Sequence, residues 1–278
     1  SDLHTTGYEL SFGWRDQIRV ANKPLGYFIK ATLSDYKSVI TKYSNDNKSL
    51  AADPLYYKGM RLGEIWGFEV DGLFATDEEA QEYANKVDLS YFNMGYMPDG
   101  WRAGDLRFVD LDGDGKISFG SNTVDKPGDR KVIGNSLPSL QYGFSFGFDF
   151  YGFDFSAFFQ GTGNHYWYPT SEARTFWGPY GGGFASYIQK DFMKKVWSED
   201  NPDAYFPRPR AYYCNAGKSP LAVFNTKYLQ NVRYLRFKNL TVGYTVPQNL
   251  TKKIGIEKVR AYFTGENLAY WSPIKKIN

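Results

Sequence analysis

Apolar and polar residues alternate along this chain over unusually long runs. Residues 140–150 place Leu140, Tyr142, Phe144, Phe146, Phe148 and Phe150 on one side, with Gln141, Gly143, Ser145, Gly147 and Asp149 on the other. A period of two predicts a strand with one apolar face. After Tyr151-Gly152 the alternation resumes through Phe153, Phe155, Ala157 and Phe159 against Asp154, Ser156 and Gln160, with Phe158 the exception on the polar side. Two such runs around a tight glycine-containing turn predict a hairpin. The same rhythm marks Tyr8, Leu10, Phe12 and Trp14, then Tyr27, Ile29, Ala31 and Leu33, and later Val259, Ala261 and Phe263. Leu240, Val242, Tyr244 and Val246 alternate in the opposite phase from Leu235 and Phe237, which predicts a bulge near 238–239.

The predicted strands are 7–20, 27–40, 139–150, 152–161, 230–247 and 258–271. Their connections alternate between short turns and two very long loops, 41–138 and 162–229. Loops of that length are rare inside compact soluble domains. Short turns at one end and long loops at the other are the habit of transmembrane β-barrels, whose strands need about 9–11 residues to cross. The expected fold class is all-β: part of a large antiparallel transmembrane β-barrel with two long extracellular loop regions containing short helices. A large soluble antiparallel sandwich or barrel has the same alternation and stands as the other reading. In the loops, Thr76-Asp77-Glu78-Glu79 predicts a capping box opening a short acidic helix to about 87. Phe184, Ile188, Phe192 and Val196 predict a second helix over 184–197, ended by Asn201-Pro202.

Composition narrows the class. Across 278 residues, Lys plus Arg number 33 and Asp plus Glu 30, a balance too even to suggest nucleic acid as the partner. No run of 18 apolar residues occurs, so helical spans are excluded, whereas a barrel puts only alternate residues in lipid. The single cysteine, Cys214, has no internal disulfide partner and no close basic neighbour in sequence, and reads as an unreactive thiol. Aromatic residues make up 19% of the chain.

The sharpest chemical motif is Asp110-Leu111-Asp112-Gly113-Asp114-Gly115-Lys116-Ile117-Ser118. Carboxylates at positions 1, 3 and 5 converge on a hard cation, and Gly115 at position 6 allows the sharp turn. Lys116 would offer a carbonyl, and Ser118 a hydroxyl or water. Calcium is the expected ion. Ser121 stands where the bidentate acid would be, so Asp129 or Asp125 would close the shell. Trp101, Trp167, Tyr168, Trp177 and Tyr180 lie among loop glycines and prolines, where exposed rings could stack on sugars or peptide side chains; otherwise they pack the loops together. Catalysis has no signature: His4 and His165 are isolated, Gly181-Gly182-Gly183 lacks a Walker lysine, and Glu64, Glu69 and Asp71 are ordinary surface carboxylates.

Several stretches in order resemble the C-terminal part of a SusC/RagA-type TonB-dependent outer-membrane transporter. They are Gly63–Glu69 with Asp71–Phe74, Gly104–Asp110 running into the Asp-rich loop, Asp129–Asn135 with Pro138 and Tyr142–Phe144, and Tyr151–Asp154 with Gln160-Gly161. Trp197–Ala204 with Pro207-Arg208, Tyr234–Tyr244 and Glu266–Leu268 follow. In that family an Asp-Arg pair closes the Asp-rich loop at position 12. Here Asp129-Arg130 comes eight residues later, which makes Asp129 the displaced candidate ligand. The resemblance implies part of an outer-membrane importer of glycans or peptides, with a SusD-like surface lipoprotein over the loops. It also implies TonB acting through a plug outside these residues. A soluble calcium-stabilised β-protein binding carbohydrate is the alternative, and a glycosidase using loop carboxylates comes third.

Overall fold

The computed structural model describes residues 1–92, 99–181, 188–210 and 213–274. Its strands are β1 (Asp2–Val20), β2 (Lys23–Lys42), β3 (Glu64–Phe68), β4 (Val70–Leu73), β5 (Leu106–Phe108), β6 (Arg130–Asn135), β7 (Ser139–Phe150), β8 (Phe153–Asn164), β9 (Tyr166–Trp167), β10 (Gln230–Asn231), β11 (Tyr234–Thr245) and β12 (Arg260–Trp271). Helices α1 (Asp77–Lys86), α2 (Arg174–Trp177) and α3 (Gln248–Thr251) are short. The six long strands form one sheet in the order β1-β2-β7-β8-β11-β12, antiparallel throughout and not closed on itself.

Register carries the sequence alternation across all six strands. Trp14, Ile29, Phe146, Ala157, Leu240 and Gly265 lie in one cross-strand row, and Phe12, Ala31, Phe144, Phe159, Phe237 and Ala269 in the next. Residues opposite one another share a face, so these rows build one continuous apolar surface. Phe159 stacks between Phe144 and Phe237 at centroid distances of 4.7 and 4.4 Å. Trp14 and Phe146 are 53% and 41% exposed, so within the described residues nothing covers this face. The other face presents Arg15, Lys30, Ser145, Ser156, Thr241 and Thr264.

The phase change in β11 is a real irregularity. Lys238 is skipped between Phe237 and Asn239 in both ladders, and its Nζ donates to Asn267 Oδ1 at 3.0 Å. Two tight turns close the short end: Ala21-Asn22 and Tyr151-Gly152 have positive φ at both central residues, the backbone that matches strand twist.

At the other end, residues 43–138 and 165–233 fold into one body. Their shared core joins Phe68, Phe74, Phe92, Leu106 and Phe108 of the first loop to Phe176, Phe192, Phe206, Leu221 and Tyr228 of the second. Phe68 N–H donates to Phe224 O at 2.8 Å, Thr226 N–H to Phe68 O at 3.0 Å, and Val70 N–H to Thr226 Oγ1 at 2.9 Å. The aromatic content therefore divides between a sheet face and this loop core. Helix α1 starts at the expected cap: Glu79 N–H donates to Thr76 Oγ1 at 3.2 Å, and the Glu79 carboxylate reaches back one residue past the cap, accepting from Ala75 N–H at 2.7 Å.

The second expected helix does not form in the described part of 184–197. Only a 3-10 turn, Phe192–Lys195, is present; Phe192 and Val196 are buried, whereas Ile188 is exposed. Val196 instead bridges Phe206 in parallel, so tertiary pairing overrides the apolar spacing. Phe184, Gly182 and Gly183 lie outside the described residues.

Candidate functional site

The Asp-rich loop is built by local hydrogen bonds. Asp110 accepts from Gly113 N–H at 2.8 Å and Gly115 N–H at 2.9 Å, Asp112 from Asp114 N–H at 3.2 Å, and Asp114 from Lys116 N–H at 3.0 Å. Gly115 holds φ +80°, the left-handed conformation that the sixth position of such a loop demands.

Asp129 reaches this loop despite its distance in sequence. Asp129 N–H donates to Ser118 O at 3.1 Å, closing residues 119–128 as an excursion that returns to its origin. Arg130 clasps that excursion, donating to Asn122 Oδ1 at 2.6 Å and lying 4.1 Å over the Phe119 ring; burial lowers its pKa to about 10. The Asp129 carboxylate accepts from Leu111 N–H at 2.8 Å and Ser118 N–H at 2.7 Å. Burial, then the nearby Asp112 and Asp110 charges, raise its pKa against the lowering pull of those two N–H groups.

Ligand oxygens of Asp110, Asp112 and Asp129 lie within 4.8 Å of one another. Asp114 lies outside that group, with Lys116 Nζ 3.6 Å from its carboxylate, and Asp125 is drawn away to Lys48 at 3.3 Å. Ser118 Oγ accepts from Gly120 N–H at 3.0 Å. The donor set suits a hard cation: three carboxylates, one of them buried and destabilised in its charged form, which a divalent ion would relieve.

The loop aromatics require a correction. Trp101, Tyr168, Trp177 and Tyr180 belong to the core, not to an open stacking surface. Their polar ends confirm it: Trp177 Nε1 donates to Pro169 O and Thr170 O, each at 3.0 Å, Tyr180 OH to Pro207 O at 2.5 Å, and Tyr168 OH to Val223 O at 3.1 Å. Trp101 packs edge-on to Phe74 and Phe92. Trp167 alone of the five is exposed.

The carboxylates that could have mimicked a glycosidase pair are spoken for. Glu64 accepts from Tyr57 OH and Arg61 N–H, Glu69 pairs with Lys131, and Asp71 pairs with Arg107. Cys214 is buried, and desolvation pushes its thiol up to about 11.

Two ion pairs escaped the sequence because each joins distant segments. Arg210 donates to Asp105 at 2.5 Å in the buried seam between the two long loops. On the polar sheet face Arg260 of β12 reaches Asp154 of β8 across β11 through two bonds, 3.0 and 2.6 Å. Gly243 makes that crossing possible, since a Cβ there would lie 2.5 Å from Arg260 Nη2 and 2.6 Å from Asp154 Oδ1.

No protein-family model matches the chain. Two curated relatives, both from Formosa agariphila, do. TonB-dependent receptor P3 is 26% identical over 96% of this chain and 24% of its own length. TonB-dependent receptor P26 is 24% identical over 100% of this chain and 26% of its own length. The chain therefore spans about a quarter of each. Among solved structures, the RagAB peptide transporter superposes with TM-score 0.65 at 19% identity, covering 99% of this chain and 26% of that one. The RagAB peptide importer in its "closed-closed" state gives TM-score 0.58 at 17% identity, over 99% and 27%.

Proposed function

The chain is a relative of TonB-dependent receptors with the fold of a barrel segment, and we propose that it forms part of an outer-membrane importer of peptides or glycans. The observation that carries this reading is the uncovered apolar face of the six-stranded sheet. A soluble sandwich would bury that face; a barrel sets it in lipid and turns the polar face to the lumen. The alternative soluble β-protein offers no such use for Leu10, Phe12 and Trp14, all more than half exposed. The relatives are receptors and transporters rather than enzymes, in keeping with the engaged carboxylates of the loops.

In this reading the two long loops form a wall of the external vestibule, capped by a SusD-like lipoprotein. TonB drives opening through a plug carried elsewhere in the receptor. Of the five loop rings singled out, Trp167 is the one open to cargo. Calcium occupies the Asp-rich loop, where Asp110, Asp112 and Asp129 would hold it and rigidify the first long loop.

The test uses the full-length receptor in its native outer membrane. Wild-type protein is expected in that membrane, bound to a surface lipoprotein and supporting uptake of labelled peptides or oligosaccharides. Phe146→Asp should impair assembly, because a lipid-facing charge is destabilising near the bilayer centre, an acid by less than the roughly 2–4 kcal/mol of a Lys or Arg there. Normal assembly of Phe146→Asp would overturn the facing of the sheet, and unchanged uptake of both cargo classes after deletion of the receptor would overturn the transport role.

A further inference from the structure

The longest connection at the short-turn end, residues 246–259, is built inside out for a turn in water. It is ordered: Val246 N–H donates to Val259 O at 2.9 Å, Ile256 N–H to Thr251 O at 3.1 Å, and Thr251 Oγ1 to Gln248 O at 3.3 Å. Yet the residue it buries is Thr251, at 3% exposure. Leu250, Ile254 and Ile256 are 52%, 71% and 43% exposed. The same segment carries exposed Lys252, Lys253 and Lys258 against a single exposed acid, Glu257. Aliphatic side chains and lysines displayed together on a short ordered helical segment are what an interfacial element presents to a bilayer: apolar groups enter the acyl boundary and ammonium groups stay with phosphates.

Neighbouring residues at this end have the same character. Tyr151, in the adjacent β7–β8 turn, is 65% exposed, and Lys23 Nζ lies 5.4 Å from its ring centroid. Exposed tyrosine beside lysine is the usual composition of a barrel's interfacial girdle. The last cross-strand row of the apolar face, Ile18, Leu25, Phe150, Phe153, Tyr244 and Ala261, stops at these turns, with Tyr244 two residues before the segment begins. The connection begins where that face ends; within it Lys258 lies toward Asp154 of the polar face, and Lys252 and Lys253 adjoin the exposed Ile254.

We propose that residues 246–259 form a lipid anchor, with Leu250, Ile254 and Ile256 seated at the acyl boundary and Lys252 and Lys253 holding anionic phospholipid headgroups at the short-turn rim. The inference rests on the barrel reading above and adds a partner to it: the phospholipid leaflet on that side, selected by charge. Other segments of the receptor are the competing occupant.

The experiment uses single-cysteine versions of the full-length receptor in vesicles of phosphatidylethanolamine and phosphatidylglycerol. A bimane label is attached through Ile254→Cys or, as the control, Phe146→Cys. Lipid brominated near the headgroup should quench the label at position 254, lipid brominated toward the acyl-chain ends should quench the label at position 146, and aqueous iodide should quench neither. The double change Lys252→Glu, Lys253→Glu should reduce phosphatidylglycerol retained on purification by roughly tenfold, with phosphatidylethanolamine little changed. A label at position 254 quenched by iodide, or shielded from both quenchers, overturns the anchor when the label at position 146 is still quenched by brominated lipid. Failure of lipid quenching at position 146 as well overturns the barrel reading, and the anchor with it.

Discussion

Asp129 sits at the junction of the acidic loop, the excursion 119–128 and strand β6, and it meets conflicting demands. Two backbone N–H groups favour its charged form; burial and two neighbouring aspartates oppose it, and the balance raises its pKa. A carboxyl with a raised folded-state pKa favours folding most when protonated, below its unfolded value of about 4. That advantage is lost as pH rises through the folded pKa. A divalent cation reverses the cost by favouring the charged form. Calcium should therefore raise the melting temperature of the loop region more at pH 7 than at pH 4. At a hundredfold excess over its dissociation constant the gain should be about 2.7 kcal/mol. Asp129→Asn should remove most of that gain in calorimetry of the intact receptor; an undiminished calcium shift in this variant would take Asp129 out of the site.

At the scale of elements, the junction of β8, β11 and β12 depends on a residue without a side chain. Gly243 lets Arg260 and Asp154 meet over the middle strand, so the three strands are tied by side chains as well as by their ladders. Gly243→Leu should force this pair apart and bring a bulky group against both strands. Overpacking of this kind costs about 1–3 kcal/mol. The expected outcome is a lower temperature for loss of the compact barrel band in heat-modifiability electrophoresis. Asp154→Asn should do much less, since an ion pair open to solvent on the sheet face is screened and contributes little. Equal effects of the two changes would show that the ion pair, not the clearance at Gly243, sets the cost.

For the whole molecule, the decisive feature is that two loops far apart in sequence make a single folded body. Its core is aromatic, and its seam contains the buried Asp105–Arg210 pair. Removing Arg210 takes away the cation beside the buried Asp105 carboxylate, which still accepts from Arg102 N–H at 2.9 Å, so the cost falls below the roughly 3–5 kcal/mol of a fully orphaned buried charge. Arg210→Met should open the seam and make both long loops sensitive to protease on intact cells. Adding Asp105→Asn should restore part of the resistance. If Arg210→Met leaves both loops resistant, the seam is held by its apolar contacts alone.

The six long strands, their two-faced character, the bulge at Lys238 and the start of α1 are all written along the chain. Each of these is local: alternation with period two, a phase change, and a cap residue three positions before its partner act over neighbouring residues. The Asp-rich loop was legible for the same reason; its spacing left Asp129 and Asp125 open, and the family resemblance alone favoured Asp129. What returned Asp129 to the loop was the closed excursion 119–128, which no spacing rule describes. Tertiary structure alone decided the fate of the loop aromatics. Exposed and buried rings have the same composition and the same glycine-rich flanks, and only the meeting of residues 43–138 with 165–233 put Trp101, Tyr168, Trp177 and Tyr180 in a core. It likewise turned the expected helix over 184–197 into a 3-10 turn and a bridge, because the pairing of Val196 with Phe206 outweighs a weak helical spacing. Long-range partners are chosen by packing between segments, and the order of residues along one segment does not record which other segment will meet it.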